Sequence, residues 1–443
     1  MKLLYCGAAD KIALFEQYVV ESVCGDYIYD YPPRQAYKPL LREIALEKIK
    51  QSLVQDEEIN LYYHFPFCRQ ICSYCNLFAV CEHRETVFAE YFDALKKETQ
   101  FYLPFIRGKR VNTLYLGGGT PSMIPVPLFV DFFAFLEKEI GFSVADVEEV
   151  AMETSPDTAT AEYLSALRSA GVNRVNIGVQ AVADGELTCI GRKYDKNLVY
   201  ESLENVMNAG FKNVCVDLIY GLEEQSFRSW QTSVQEVAAY APPTICAYPL
   251  TLRGNTGFAR KGYRVLDGKQ QYEKYAYARE YLLAHGYEQE THVRYKKAGS
   301  HGGYVQKENH WKQQNILGLG AGARSYLKEI NTRNGYSVLH RKSAYDAYMK
   351  NVKAGGFAVV DGYVMDKQEQ LCKRLVLGLD GVNLSALAGY VNECAYLLQN
   401  GYLAERNGCV FLTERGRQYR DLIVQLFFSD RVNLAIKEFD YDE

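Results

Sequence analysis

The sequence lacks long apolar runs and has no strong excess of charge of either sign. Its 443 residues are 48% hydrophobic and 23% charged, and the formal net charge is -4. No segment approaches the roughly 20 consecutive apolar residues that span a bilayer, and residues 1–6 do not begin an apolar run long enough for a signal peptide. The near-neutral charge gives no electrostatic reason to expect nucleic acid or an anionic membrane as a partner. We therefore expect a soluble, cytoplasmic protein without a membrane span.

Internal repeats, coiled-coil heptads and low-complexity tracts are also absent. The chain is long enough for a large hydrophobic core and one or two appended modules. Most of its 12 cysteines are scattered through segments that have the composition of core strands and helices. Because cysteines in the cytosol stay reduced, they indicate free thiols or metal ligands rather than a disulfide framework.

From residue 59 onward, short apolar segments alternate with longer amphipathic segments. The predicted strands are 59–64, 111–116, 147–154, 174–179, 213–220 and 243–250. The predicted helices between them are 87–102, 126–140, 160–170, 198–209 and 226–239, and Gly171 and Gly210 follow two of these as C-cap glycines. Such alternation indicates βαβ units with a parallel sheet, which right-handed crossovers curl into a barrel. The predicted fold class is α/β, with a partial (β/α)6 barrel over residues 59–330.

Two further segments flank the predicted barrel. Residues 1–58 form an N-terminal extension whose stretch 29–37 is rich in aromatic residues and proline. Residues 331–443 form the predicted C-terminal domain, with helices at 366–377, 384–400 and 415–428 and a hairpin at 402–413 that turns at Asn407-Gly408. This order is similar to a winged-helix module. Because it has no basic face for nucleic acid, we expect it to act as a lid over the barrel mouth.

Three cysteines lie close together at the end of the first predicted strand. Cys68, Cys72 and Cys75 have the spacing C-x3-C-x2-C. Three thiolates at this spacing can hold three irons of a cubane cluster and leave the fourth iron open for chemistry, since cysteine thiolates are the usual cluster ligands. A structural zinc site is the alternative, with Cys81, His64 or His83 as the fourth ligand.

Glycines and polar residues follow the other predicted strands, where the active site of a parallel barrel lies. Gly117-Gly118-Gly119-Thr120-Pro121 follows the second strand, and consecutive glycines let the backbone approach a ligand closely. Glu153 is suited to an ammonium group or a ribose hydroxyl, Asp217 to a ribose, and Gln180 to a ligand carboxylate or hydroxyl. Arg192 is suited to a bidentate contact with a carboxylate. Each of these residues taken alone is also compatible with a turn, a capping acid or a surface cation.

Together these motifs resemble a known family. The three-cysteine spacing is the signature of the radical S-adenosylmethionine (SAM) enzymes, and the surrounding motifs are similar to those of the oxygen-independent coproporphyrinogen III oxidase family. The matching segments are 62–68, 117–122, 178–180, 217–222, 309–311 and 317–325, with Glu153 and Arg192 in the same order, and 412–417 matches more weakly.

The resemblance implies a [4Fe–4S] cluster on Cys68, Cys72 and Cys75 and one-electron cleavage of SAM to a 5′-deoxyadenosyl radical. It also implies two bound SAM molecules. The contacts expected for the first SAM are Tyr62, Gly118 and Glu153, and those for the second are Tyr74, Gly119, Thr120, Gln180, Arg192 and Asp217, with further contacts at Pro249 and Arg324. We expect Tyr62, Glu153, Gln180 and Arg192 to act as catalytic residues and a flavodoxin or ferredoxin to supply the electron.

One departure bears on the reaction. Porphyrinogen oxidases of the family usually have a fourth cysteine two residues after the third, whereas here Asn76-Leu77 follows Cys75. This difference and the aromatic N-terminal stretch favour methyl or methylene transfer to a conjugated or aromatic small molecule. Oxidative decarboxylation of coproporphyrinogen III and haem methylation with ring opening are alternatives. A haem-binding chaperone is an alternative of another class, with His64, His301 and His310 as candidate iron ligands.

Overall fold

The computed structural model describes residues 11–21, 28–254, 256–379 and 381–439. Within these residues the strands, numbered in chain order, are β1 Lys38–Pro39, β2 Glu58–Phe65, β3 Phe67–Cys68, β4 Val80–Cys81, β5 Arg110–Gly118, β6 Glu149–Thr154, β7 Arg174–Gln180, β8 Asn213–Tyr220, β9 Thr244–Pro249, β10 Tyr287–Gln289, β11 Arg294–Lys297, β12 Ile316–Leu319, β13 Arg324–Tyr326, β14 Ile330–Asn334, β15 Val359–Val364, β16 Val382–Asn383, β17 Leu403–Arg406 and β18 Cys409–Leu412.

The α-helices in the same residues are α1 Lys11–Val20, α2 Arg42–Val54, α3 Glu85–Ile106, α4 Val126–Leu136, α5 Ala161–Ser169, α6 Asp184–Cys189, α7 Lys196–Asn208, α8 Phe227–Ala239, α9 Gly257–Arg260, α10 Gly268–Ala284, α11 Val305–Trp311, α12 Arg341–Gly355, α13 Lys367–Gly378, α14 Val391–Gln399, α15 Glu414–Gln418, α16 Arg420–Gln425 and α17 Asp430–Lys437. Short 3-10 turns and one π-helical turn, Glu137–Gly141, complete the helical segments.

A single large sheet organises the protein. Among the described residues its strand order is β1-β15-β14-β13-β12-β2-β5-β6-β7-β8-β9-β11-β10. The six consecutive strands from β2 to β9 in this order are all parallel, and β12 adds a further parallel strand beside β2. The six strands predicted from the sequence are confirmed, and the sheet has two open ends, as in a partial barrel. These strands are nearly continuous apolar runs because helices cover a parallel sheet.

The helices between the parallel strands begin and end at residues that satisfy their backbone groups. The side chains of Thr160, Asp195 and Ser226 accept hydrogen bonds from backbone N–H groups in the first turns of α5, α7 and α8. Gly171 and Gly210 follow α5 and α7 with φ angles of 103° and 75°. This left-handed backbone suits glycine, and it confirms the two predicted C-cap glycines.

A second hydrophobic core lies beside the main one. It combines Phe15, Ile28 and Tyr31 of the N-terminal segment with residues from 363 to 436. The predicted boundary at residue 330 does not separate the two cores, since β14 and β15 continue the large sheet and α12 packs on the main core. Residues 331–362 therefore belong with the barrel, because their strands extend its sheet.

The C-terminal core contains the predicted hairpin, but its helices are divided differently. The helix predicted at 384–400 is a 3-10 helix over Leu384–Tyr390 followed by α14. Strands β16, β18 and β17 form a small antiparallel sheet, and the hairpin turns at Asn407 and Gly408, both with positive φ. The helix predicted at 415–428 is instead two short helices, α15 and α16, and a further helix, α17, follows. Ser429, whose side chain accepts a hydrogen bond from Val432 N, begins this last helix, a capping signal that the prediction missed.

None of the helices in the described segments is long and apolar enough to cross a membrane.

Candidate functional site

A cleft of about 660 Å³ opens at the carboxyl ends of the parallel strands and extends between them as far as Arg174 and Ile316, the first residues of β7 and β12. All of the residues predicted to hold the cluster or SAM line this one cleft: Tyr62, Cys68, Cys72, Tyr74, Cys75, Gly118, Gly119, Thr120, Glu153, Gln180, Arg192, Asp217, Pro249 and Arg324. The fold therefore brings together residues that lie up to 262 positions apart in the sequence. Their individual roles toward a cluster or SAM stay predictions.

The cysteine loop is held in place by backbone hydrogen bonds to two neighbouring segments. Ser73 N donates to Ile190 O at 3.0 Å, and Ser73 O accepts from Phe258 N at 2.8 Å. Within the loop, Cys75 N donates to Cys72 O at 3.0 Å. The segment between the second and third cysteines is therefore anchored at the cleft wall.

The three thiols of this loop lie close enough to influence one another. Burial, and then the nearness of Cys75, raise the pKa of Cys68 to about 12. Burial and the nearness of Cys72 raise the pKa of Cys75 to about 11. Three converging thiols on a cleft wall fit an iron–sulfur cluster, since such clusters are held by cysteine thiolates. Bound there, a [4Fe–4S] cluster would supply single electrons to a ligand in the cleft.

The alternative zinc site has no well-placed fourth ligand. His64 Nε2 donates to Phe78 O at 2.8 Å, so its Nδ1 accepts the hydrogen bond from Tyr62 OH at 2.9 Å. Burial lowers the pKa of His64 to about 4 and keeps the ring neutral. Cys81 lies beside Cys68 in the β3–β4 pair but is exposed, and His83 is exposed as well. His64, the one buried candidate, therefore already makes a hydrogen bond with each of its two ring nitrogens.

The glycine run lets the end of β5 approach Glu153 and the cysteine loop. Gly118 N donates to Glu153 Oε2 at 2.8 Å, and Tyr115 OH donates to Glu153 Oε1 at 3.0 Å. Burial raises the pKa of Glu153 despite these two donors. A Cβ on Gly119 would lie 2.9 Å from Phe67 N and closer still to Phe67 O. Only glycine allows this approach, which places the strand end directly beside the segment that leads into Cys68.

Gln180 and Arg192 lie at the end of β7 and in the loop after α6. Gln180 has a φ of 71°, an uncommon left-handed conformation for a residue other than glycine, and the β7–β8 register shifts beside it. Such strained residues cluster at functional sites. Arg192 Nη1 donates to Ser155 Oγ at 2.6 Å, and its charge acts on the neighbouring Tyr74. These contacts hold the guanidinium at the cleft wall.

Asp217 and Arg324 lie in different electrostatic surroundings. Burial, and then the charge of Glu153, raise the pKa of Asp217 to about 7. Arg324 Nη1 donates a hydrogen bond to Tyr29 OH, and Tyr29 belongs to the N-terminal segment. Arg324 therefore connects this segment to the barrel, a contact that the sequence analysis did not anticipate. Pro249 ends β9 at the cleft.

Several cationic residues that sequence reasoning missed also line the cleft. Arg174 is 1% exposed, and its guanidinium carbon lies 4.2 Å from the centre of the Tyr304 ring. Arg174 Nε lies 3.6 Å from Glu149 Oε2, and none of its three guanidinium nitrogens makes a hydrogen bond within the described residues. Other cations on the same walls are Arg34, Arg253, Arg294 and Lys307. In the sequence, Arg174 is a single arginine at the start of a predicted strand, and nothing near it indicated that it would line the cleft.

Tyrosine rings form a stacked wall next to Arg174. Tyr62 and Tyr115 are 5.8 Å apart at 25°, and Tyr115 and Tyr304 are 5.3 Å apart at 21°. These rings and the Arg174 guanidinium form a continuous row of aromatic and cationic groups along one wall of the cleft. Aromatic side chains on a cleft wall give a ligand a large apolar contact area.

The N-terminal segment lines part of the cleft. Ile28, Tyr29, Asp30, Pro33, Arg34 and Gln35 line the cleft. Among the residues that the structure describes, none after Tyr336 does so. The C-terminal core packs against the N-terminal segment, and that segment faces the cleft. The lid role of the C-terminal domain stays a prediction.

The three histidines considered as haem ligands differ in position. His64 lines the cleft with both ring nitrogens hydrogen-bonded, and His301 is exposed and does not line it. His310 lines the cleft, is 2% exposed, and its Nε2 lies 3.3 Å from Asp30 Oδ1. Burial lowers the pKa of His310 to about 4, so the ring is neutral. A neutral imidazole on a cleft wall is the form that binds metal.

Comparison with known proteins gives relatives along nearly the whole chain. The family model "Radical SAM superfamily" matches residues 62–237. A protein named "Heme chaperone HemW" from Lactococcus lactis is 26% identical over 390 residues, which cover 84% of this chain and 98% of the relative. The protein of the same name from Bacillus subtilis is 28% identical over 374 residues, covering 80% of this chain and 95% of the relative.

Coproporphyrinogen III oxidases are similar as well. The oxygen-independent coproporphyrinogen III oxidase of Escherichia coli is 27% identical over 227 residues, which cover 50% of this chain and 49% of the relative. The solved structure of coproporphyrinogen III oxidase (HemN) from Escherichia coli, described as a radical SAM enzyme, superimposes with a TM-score of 0.78 at 20% identity. The match covers 90% of this chain and 96% of that one, so the two share the fold.

Proposed function

Because the chain belongs to the coproporphyrinogen oxidase-like family of radical SAM proteins, we propose that it binds haem in the cleft and delivers it to an acceptor. The observation that carries the proposal is the Arg174 guanidinium, which is buried at the cleft wall without a hydrogen-bond acceptor in the described structure. A buried cation of this kind is stabilised by a ligand carboxylate, which arginine binds through two parallel hydrogen bonds.

The shape and charge of the cleft narrow the choice of ligand. The Tyr62–Tyr115–Tyr304 stack gives one wall of the cleft an aromatic surface, and Arg34 and Arg174 add positive charge to the lining. A planar conjugated ring that carries carboxylates satisfies both features, and haem has this chemistry. The nearly full-length similarity to proteins named haem chaperones supports the same choice.

His310 is the residue that we propose as the iron ligand. Its neutral ring lines the cleft, whereas His64 has both nitrogens engaged and His301 lies outside. Histidine is a common axial ligand of haem iron. For His310 Nε2 to bind iron, the ring has to leave Asp30, which lies in the N-terminal segment. Haem binding would therefore displace that segment from one wall of the cleft.

The radical SAM residues remain part of the proposal. Cys68, Cys72 and Cys75 would hold the cluster, and Tyr62, Gly118 and Glu153 would orient SAM. The Glu153 carboxylate is already held in position by hydrogen bonds from Gly118 N and Tyr115 OH. Tyr74, Gly119, Thr120, Gln180, Arg192 and Asp217 are proposed for a second SAM, and a flavodoxin or ferredoxin is the proposed reductant.

A second candidate function is radical chemistry on a tetrapyrrole that carries carboxylates. The observation in its favour is that the predicted SAM residues converge on the same cleft as Arg174. A coproporphyrinogen III oxidase is among the relatives, although it matches only half of this chain. Methyl or methylene transfer has no support of this kind from the relatives.

Haem titration of the reconstituted protein tests the proposal. We expect one haem per chain, with the absorption of histidine-ligated iron, and His310→Ala should change that spectrum and weaken binding. His301→Ala is the matched control and should behave as the unaltered protein. If His310→Ala and His301→Ala both bind haem with the spectrum of the unaltered protein, His310 is not the ligand. Absence of stoichiometric binding would refute the haem function itself.

An anaerobic turnover with dithionite and SAM separates the two candidate functions. The products to count are 5′-deoxyadenosine, S-adenosylhomocysteine and methylthioadenosine. Haem binding without any of the three supports delivery. 5′-Deoxyadenosine alone, formed with a tetrapyrrole substrate, supports hydrogen abstraction, and its formation with either other product supports carbon transfer.

A further inference from the structure

Two thiols and a carboxylate meet on the wall of the cleft at adjacent strands. Cys215 and Asp217 lie two positions apart on β8, so their side chains project from the same face of the strand. The register of β8 and β9 places Cys246 opposite Asp217. Cys215 is 1% exposed and Cys246 is 4% exposed, and all three residues line the cleft. The parallel register thus brings together three metal-binding side chains that the sequence separates.

The distances among these groups match those around a tetrahedral metal ion. Cys215 Sγ lies 3.6 Å from Cys246 Sγ and 3.6 Å from Asp217 Oδ1. One ligand atom from each residue lies within 4.8 Å of the others. Zinc bonds of about 2.3 Å to sulfur and about 2.0–2.2 Å to oxygen at tetrahedral angles place two sulfurs about 3.8 Å apart, and a sulfur and an oxygen about 3.6 Å apart. Little movement is needed to bind the ion.

We propose that Cys215, Asp217 and Cys246 bind one Zn²⁺ ion in the cleft. Binding replaces the two thiol protons, which are released to solvent, and forms two Zn–S bonds and one Zn–O bond. Three protein ligands leave the fourth position of a tetrahedral ion to water or to a ligand donor atom, as in open zinc sites. Two thiolates and one carboxylate around a divalent cation leave one net negative charge, which suits the neighbouring Arg174 guanidinium.

This site differs from the cysteine loop in both ligands and position. Cys68, Cys72 and Cys75 provide three thiolates from one loop, whereas Cys215, Asp217 and Cys246 provide two thiolates and one carboxylate from the barrel strands. Zinc would also occupy the Asp217 carboxylate that we expected to contact a second SAM. The ion and the ribose of that SAM therefore compete for one side chain.

Metal binding can be measured on the full chain without cluster, SAM or haem. In a Cys68→Ala/Cys72→Ala/Cys75→Ala variant, which lacks the cluster ligands, we expect one Co²⁺ per chain with a thiolate-to-metal charge-transfer band, and displacement of Co²⁺ by Zn²⁺. Adding Cys215→Ser or Cys246→Ser should weaken binding by more than the roughly 10- to 100-fold that outer-shell changes cost. Cys394→Ser, at a buried cysteine of α14, is the matched control and should leave binding unchanged.

Two results would overturn the site. One is failure of the triple variant to bind Co²⁺ or Zn²⁺ while its circular dichroism matches the unaltered protein. The other is metal binding that persists in both serine variants. X-ray absorption at the zinc edge of the unaltered protein, with its cluster in place, is independent of any substitution. It should show two sulfur neighbours at about 2.3 Å, and a shell of nitrogen and oxygen alone would contradict the proposal.

Discussion

The Arg174 side chain offers the sharpest test of how the cleft binds its ligand. Arg174→Met removes the buried guanidinium and keeps much of the side-chain volume. Losing one partner of a buried charged pair costs about 2–5 kcal/mol. Because Arg174 also pairs with Glu149 at 3.6 Å, we take the lower limit of this range, about 2 kcal/mol, as the loss of binding free energy. At about 1.4 kcal/mol per factor of ten, the dissociation constant for haem should rise about 30-fold.

Glu149→Gln is the matched control for this change. It breaks the same ion pair but keeps the guanidinium in the cleft, and the Gln side chain still has an oxygen to accept one of the hydrogen bonds that Val305 N and Gln306 N now donate to Glu149. Both variants should lose stability, by up to about 3 kcal/mol for a broken buried pair, as measured by urea unfolding. Only Arg174→Met should lose haem affinity in absorbance titrations. Equal affinity in Arg174→Met and the unaltered protein, or equal losses in the two variants, would refute the reasoning.

The remaining predictions concern the cluster loop and pH. Cys81→Ala should leave iron and sulfide content unchanged after reconstitution, because Cys81 is exposed and the three thiols of the loop, those of Cys68, Cys72 and Cys75, line the cleft without it; loss of iron would make Cys81 a ligand. Gly119→Ala should lower the unfolding free energy by about 1–3 kcal/mol and reduce cluster loading, since its Cβ would clash with the backbone of Phe67. Gly185→Ala, where a Cβ meets nothing within 4 Å, is the control, and equal effects in both would contradict the argument. The pKa of His64 is lowered from 6.5 to about 4 in the folded protein. As the pH falls from 6.5 to 4, His64 therefore binds a proton in the unfolded chain before it does so in the folded protein, and the unfolding free energy falls. His64→Phe should remove up to about 1.4 kcal/mol per pH unit from the slope of unfolding free energy against pH, and an unchanged slope would contradict a neutral buried ring.

The sequence analysis predicted the parallel strands and the residues at their ends well, because both depend on local patterns. An apolar run such as β8 and a glycine run after β5 are visible in the sequence itself. Strand order then brings the ends together in a parallel sheet. The predicted residues from Tyr62 to Arg324 line one cleft for this reason.

The features that were missed depend on distant parts of the chain. Arg174 begins its strand, and only the packing of Tyr304 and Glu149 against it shows that it is buried at the cleft. Cys215 and Cys246 belong to different strands, and their contact depends on the register of β8 and β9. The C-terminal domain was expected over the barrel mouth because it has no basic face for nucleic acid, and nothing in its own sequence indicates that it packs on the N-terminal segment.

That packing has a consequence for the order in which the protein matures. Tyr31 OH donates to Glu369 Oε2 at 2.5 Å, and Ile28 N donates to Asp421 Oδ1 at 3.1 Å. The segment that lines the cleft is therefore anchored by residues that leave the ribosome about 340 to 390 positions later. Since domains fold as units during synthesis, the barrel and its cysteine loop can form before the N-terminal segment is anchored over the cleft. Until the last residues emerge, the cysteine loop can therefore be reached from the side that the N-terminal segment later covers.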